Sequence, residues 1–319
     1  MNILVTGSSG FIGHNIVKML DGYNVIGFDN HEVYPSVDWR ILKMLINERL
    51  AITSQSEKFK EHRADVTRGF PHLGGLNYDV IIHTASFPNQ HEVSLHPFNA
   101  TNTMILGLMG ALTLAQHCKK FVFISSSMVY GDYPNFATES HPTNPNTLYG
   151  VLKDSGEKIV RNFTTTYGIP HTIIRPSAVY GERDVSSRLV GKFITTAIEG
   201  GTLHVNGPDE ILDFTYVEDV AQGIVQAAFS DNTNNKTYNL TRSDAKCRTI
   251  LEAGELAIAL AGKGTLSIQG RDTAFPKRGN LSIEQARNDF GYNPTTNIED
   301  GFQRYYEWLH SFLKRQASV

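Results

Sequence analysis

Short apolar runs, each stopped by Gly, Asp, Ser or Pro, recur through the first half of the chain: NILVTG, NVIGFDN, EHRADV, DVIIHTA, KFVFISSS and PHTIIRPS. Runs without polar alternation predict strands buried on both faces, as in a parallel sheet. Between them, the spacing of apolar positions predicts helices near 11–21, 38–50, 99–118 and 148–167. Strand and helix in alternation predict a doubly wound α/β sheet over residues 1–177. From Ala178 the rhythm loosens into longer loops, short helices and isolated strands such as TLHVNG and KTYNLT. This predicts a smaller α/β domain over 178–319, with 213–238, which contains FTYVEDVAQGIVQAAF, returning to the first.

Composition narrows the setting. A chain of 319 residues is long enough for two joined domains. With 40% apolar residues and 29 basic against 32 acidic side chains, it has no charge field of the kind that recruits nucleic acid or an anionic membrane. Cys118 and Cys247 are too few for a disulfide framework, which points to a reducing cytoplasm. No apolar run is read as reaching the roughly 18 to 20 residues that span a bilayer. The opening MNILVTGSSG reads as a strand and turn, without the basic start of a signal peptide. The expectation is a soluble, cytoplasmic protein.

The first strand runs into TGSSGFIG, which places Gly7, Gly10 and Gly13 at the start of a helix. A backbone that passes close to a pyrophosphate needs residues without a Cβ, and the helix N-terminus behind it offers N–H groups and a positive dipole end. Asp29 closes the second strand about twenty residues on, where an acid accepts from an adenosine ribose and repels a 2′-phosphate. With no Arg in the loop or directly after Asp29, NAD is favoured over NADP. Ser9, Phe11, Ile12 and Asn30 belong to the same crevice, and Asp65 with Val66 ends the third strand toward the adenine.

Tyr149 and Lys153 stand four residues apart in TLYGVLKDSGEK, on one face of a predicted helix that follows the strand ending in SSSMVYG. A serine hydroxyl, a phenol and an ammonium would then converge at the C-terminal ends of the strands. A phenol with an ordinary pKa near 10 is no base at neutral pH unless a neighbouring cation favours its phenolate. Lys153 is the cation expected to do so.

TGSSGFIG, Asp29, the HTA of His83–Thr84–Ala85, Asn102, SSSMVYG, Tyr149 with Lys153, RPSAVYG at 175–181 and the closing GFQRYYEWL together resemble the extended short-chain dehydrogenase/reductase family of nucleotide-sugar epimerases and dehydratases. The resemblance covers essentially the whole chain. It implies a Rossmann fold with bound NAD, Ser126, Tyr149 and Lys153 as catalytic residues, and Asn102 near the cofactor. It extends the cofactor site to Thr84, Ala85, Ser86 and Pro176. It also implies a homodimer formed through the helices at 99–118 and 148–167.

The resemblance further implies that Tyr149 takes a proton from a sugar hydroxyl while NAD removes hydride from the same carbon. Returned to the other face, the hydride completes a 4-epimerisation. A 4,6-dehydratase needs an Asp/Glu pair directly after the catalytic hydroxyl. Ser127 and Met128 stand there, so that elimination is disfavoured. The segment YPSVDWRILKMLINERL resembles an insertion of hexuronate 4-epimerases, and by itself reads as an amphipathic helix covering the sheet edge. Two positions depart from the family: Leu212 replaces an arginine for the diphosphate and Ala178 replaces an asparagine. Losing two contacts to a charged group calls for replacements, and Arg183, Arg188, Lys192, Arg271 and Arg278 are the candidates. Ser126, Ser127, Tyr149, Ser177 and Phe193 complete the expected substrate site, with Phe87 nearby. A net NAD(P)-dependent oxidoreductase or dehydratase and a non-catalytic NAD-binding protein remain the alternatives. The twelve histidines form no metal site: HEVSLH misses the spacing that places two imidazoles on one helical face.

Overall fold

The apolar runs in the middle of the first half become the centre of a seven-stranded sheet. The computed structural model describes residues 1–32, 38–70, 73, 77–184 and 188–316. Its strands are β1 Asn2–Thr6, β2 Asn24–Asp29, β3 Phe59–Arg63, β4 Val80–His83, β5 Lys120–Ile124, β6 His171–Pro176, β7 Val179–Tyr180, β8 Thr202–Asn206, β9 Thr215–Tyr216, β10 Lys236–Leu240 and β11 Thr265–Gln269. The main sheet runs β10-β6-β5-β4-β1-β2-β3, and every pair in it is parallel. Strands β4, β5 and β6 are buried at every residue, as expected for strands covered on both faces. The chain reverses direction across the sheet between β1 and β4, which opens a crevice beyond their C-terminal ends.

Helices Phe11–Met19 and Val217–Phe229 pack together over one face, where Ile16, Val220 and Ile224 meet Val5, Ile82 and Ile174. Helices Gly107–Leu114 and Leu148–Tyr167 cover the other face through Leu108, Leu112 and Val160. A third cluster joins helices Leu189–Ile198, Ile250–Ala261 and Ile298–Gln316 to the short sheet of β8 and β11. The two-residue strands β7 and β9 pair beside it.

Four expectations are corrected. The third strand lies two residues earlier than EHRADV and is mostly exposed, because it is the sheet edge with a neighbour on one side only. TLHVNG and KTYNLT are not isolated: β8 pairs with β11, and β10 runs alongside β6 as the other edge of the main sheet. Helix Trp39–Thr53 does more than cover an edge, since Leu42, Leu45 and Ile46 pack into the third cluster and Glu48 accepts from Trp308 Nε1 at 3.1 Å. Residues 34–37 of that segment lie outside the described residues. Finally, Pro97–His117 forms one continuous helical stretch that is long and apolar enough, by length and composition, to cross a membrane. It lies along the sheet instead, with Leu108, Ala111, Leu112 and Ala115 in the core.

Candidate active site

One large cleft, of about 650 Å³, follows the crevice from the glycine loop past the end of β5 to β8. Gly7 leaves β1 at φ +72°, and a Cβ there would stand 2.6 Å from Thr84 Oγ1. At Gly13 a Cβ would fall 1.9 Å from the Gly7 carbonyl oxygen, so the helix can enter this close only as glycine. Gly10, the residue before helix Phe11–Met19, provides no side-chain cap for the first-turn N–H groups. Ser9, Phe11, Ile12, Asn30, Val66 and Pro176 line the cleft, as do Thr84, Ala85 and Ser86. This is a cradle of the shape a dinucleotide pyrophosphate requires.

Asp29 closes the cradle from β2. Its carboxylate accepts from the Ser9 N–H at 3.0 Å and the His31 N–H at 2.8 Å, and burial pushes its pKa up. Asp65 does not line the cleft: it caps the turn at Val66–Arg68, accepting from Thr67 N and from Asn30 Nδ2. Asn102 is also absent from the wall. It begins a π-helical turn, and the next residue, Thr103, faces the cleft.

Two groups at the cradle escaped the sequence reading. Glu61 on β3 accepts from Ser8 Oγ at 2.7 Å and Ser9 Oγ at 2.6 Å, and lies 2.9 Å from His31 Nε2. The hydrogen bond to Glu61 raises the His31 imidazole. Arg49, from helix Trp39–Thr53, donates through Nη1 to the Ser9 carbonyl at 3.1 Å and through Nε to the Arg183 carbonyl at 3.1 Å. Burial lowers its pKa to about 10, so it remains a cation in the cleft wall.

Beyond the cradle, Ser126, Tyr149 and Lys153 come together. Helix Leu148–Tyr167 starts at Thr147, whose hydroxyl accepts from the Gly150 N–H at 3.1 Å. Its first turn therefore presents Tyr149 on the cleft wall beside Ser126, whose hydroxyl is near enough to act on the phenol. Burial raises the phenol's pKa, while the field of Arg188 and the neighbouring Ser126 hydroxyl oppose the rise. Lys153 donates to the Ile124 carbonyl at 2.7 Å with Nζ 5.9 Å from the Tyr149 ring centroid. Burial pulls its pKa down to about 7, against the field of Glu157. Arg188 thus adds a second cation to the surroundings of the phenol, beside the Lys153 that the sequence reading named.

Glu157 fixes this arrangement one turn further on. It receives Arg175 Nε at 2.8 Å and Nη2 at 2.6 Å, Arg161 Nη2 at 2.8 Å and the Ser125 hydroxyl at 2.6 Å. Ser125 is thereby committed to the helix, which leaves Ser126 as the serine of the run that faces Tyr149.

Arg188, Lys192, Phe193, Arg271 and Arg278 also line the cleft, together with Leu212 and Ala178. Arg188 Nη2 donates to the Pro88 carbonyl at 2.8 Å, and its guanidinium lies 5.6 Å from the Phe11 ring centroid. Three expected substrate residues stand elsewhere. Ser127 and Ser177 are buried beside Tyr133, and Arg183 pairs with Glu48 at 3.6 Å. Ala178 holds φ +39°, a left-handed conformation that asparagine tolerates better than alanine. The family's asparagine thus has a backbone reason at that position besides any contact.

Residues 3–241 match the model of the NAD dependent epimerase/dehydratase family. A Bacillus subtilis protein described as an uncharacterized UDP-glucose epimerase, YtcB, is 28% identical, across 98% of this chain and 99% of its own. UDP-glucuronate 4-epimerase 6 of Arabidopsis thaliana is 26% identical, across 100% of this chain and 74% of its own. The crystal structure of a UDP-glucuronic acid 4-epimerase from Bacillus cereus, solved with UDP-glucuronic acid and NAD, superposes with a TM-score of 0.88 at 26% identity, covering 98% of this chain and 100% of that one. A glycine cradle at the switch of a parallel sheet, a Ser, Tyr and Lys beside it, and a match over three-quarters of the length lead to one assignment: the chain belongs to the NAD-dependent epimerase/dehydratase family.

Proposed function

We propose that the protein is an NAD-dependent nucleotide-sugar 4-epimerase, active as a homodimer. What carries the proposal is the meeting of Ser126, Tyr149 and Lys153 in the same cleft as the glycine cradle. Gly7, Gly10 and Gly13 would admit the pyrophosphate of NAD, Arg49 would offset its charge, and Asp29 would hold the adenosine ribose. When bound, NAD supplies a reversible acceptor for the hydrogen at the sugar's C4.

The protein's own groups handle the proton. Ser126 orients the sugar hydroxyl toward Tyr149, and the phenol oxygen takes its proton and later returns it. Lys153, with a pKa near 7, exchanges its proton at neutral pH and ties its helix to β5 through the Ile124 carbonyl. Ser127 is buried and Met128 is a thioether, so the positions after Ser126 offer no acid or base for dehydration. Lys192, Arg271 and Arg278 supply cations for a diphosphate in place of the arginine that Leu212 displaces.

The test is turnover of UDP-, dTDP-, GDP- and CDP-hexoses followed by NMR and by absorbance at 340 nm. C4 epimers should interconvert without net reduced cofactor. Tyr149→Phe should lower the rate by about 10²–10⁴-fold with NAD binding retained. Stoichiometric accumulation of NADH would replace the epimerase with an oxidoreductase.

A further inference from the structure

The loop after β4 crosses the cleft as Ser86–Glu92 and ends in helix Gln90–Leu95. Ser86, Gln90 and Glu92 all line the cleft. Ser86 Oγ, Gln90 Oε1 and both carboxylate oxygens of Glu92 are buried, with no hydrogen-bond partner among the described residues. Glu92 itself is only 1% exposed. A buried carboxyl left unpaired is costly unless it keeps its proton or a ligand answers it. Burial raises its pKa, and the groups whose fields oppose that are His91 and His96.

The local sequence offered Glu92 another partner. It sits three residues after the cap Asn89, where a glutamate ordinarily folds back onto the cap's N–H. Glu252 does this in the same molecule, accepting from the Thr249 N–H at 2.9 Å. Glu92 forgoes that bond and remains at the cleft. Its neighbour Val93 packs in one small cluster with Phe87 and Leu152, against which Tyr149 also rests. The unpartnered row therefore borders the reacting end, where the Gln90 amide nitrogen also reaches the Ala274 carbonyl of the 271–278 loop at 3.5 Å.

We infer that Ser86, Gln90 and Glu92 read the sugar of the nucleotide-sugar ligand, with Glu92 accepting from its hydroxyl groups, and that they thereby select a neutral hexose over the corresponding hexuronate. This rests on the nucleotide-sugar reading above. A hexose brings donors to a wall of acceptors. A hexuronate brings a second carboxylate to the same wall, and like charges brought together at an interface are costly.

Calorimetric titration of the NAD-loaded protein with UDP-glucose and with UDP-glucuronate tests this. The wild type should bind UDP-glucose tighter by about tenfold or more, since like charges brought together weaken binding. In Glu92→Gln, which keeps shape and removes charge, the preference should fall to within about threefold, in part because UDP-glucuronate binds more tightly. Wild-type protein that binds UDP-glucuronate as well as UDP-glucose overturns the inference without touching the epimerase reading, and so does a preference that the substitution leaves unchanged. Failure to bind either compound overturns the inference, and it removes the epimerase reading as well only if dTDP-, GDP- and CDP-hexoses also fail to bind.

Discussion

Lys153 places an amine in a position 4% exposed to solvent, with one carbonyl as its hydrogen-bond partner. An amine whose pKa falls from 10.5 to about 7 on folding sheds its proton between those values. Its burial therefore costs most below pH 7 and progressively less as pH rises toward 10.5. Lys153→Met should raise the melting temperature at pH 6, with a gain that shrinks by pH 9, while turnover is lost. Thermal unfolding at the two pH values measures it, and a variant less stable at pH 6 would show that the bond to Ile124 outweighs desolvation. At this scale the sequence exposed the pair Tyr149 and Lys153, because both lie on one helical face next to a recognisable serine run. Glu157 continues the same spacing but gave no sign of its partner, since Arg175 is on the next strand. Arg49 was hidden for a similar reason: it reaches Ser9 across 40 residues of sequence, and only packing sets that distance.

Helix Leu148–Tyr167 is the element on which the chemistry is mounted, and Glu157 is its anchor. The carboxylate is fully buried, with bidentate Arg175 stacked 4.7 Å from the Tyr130 ring centroid. Glu157→Gln removes the charge and leaves Arg175 uncompensated, so stability should fall by about 3–5 kcal/mol. Urea unfolding provides the measurement; an unchanged midpoint would mean that the helix is held by its apolar face alone. Among elements, the central strands could be read from sequence because burial on both faces leaves continuous apolar runs. β3 could not, since an edge strand of composition FKEHR carries no such run. Helix Trp39–Thr53 was legible as amphipathic, but which surface its apolar side meets is a tertiary fact that periodicity does not encode.

Over the whole molecule, the two helical stretches on the outer face leave large apolar side chains in solvent: Phe98 is 76% exposed, Leu106 56% and Val151 42%. Large apolar side chains left exposed on neighbouring helices suit a protein interface. The proposed dimer should sediment as one species at micromolar concentration, and Leu106→Glu combined with Val151→Glu should halve its mass. A wild type that already sediments as a monomer would refute the pairing.

The order of strands across the sheet has a consequence for how the chain can be made or divided. β10 flanks β6 but follows it by some sixty residues of other structure. A nascent or truncated polypeptide ending before Lys236 leaves the backbone N–H and C=O groups along one side of His171–Pro176 open, an unfinished margin to which another chain can add. The nucleotide-facing half is thus complete only once the polypeptide has travelled out and come back, and no single cut between Ala178 and Lys236 separates two finished pieces.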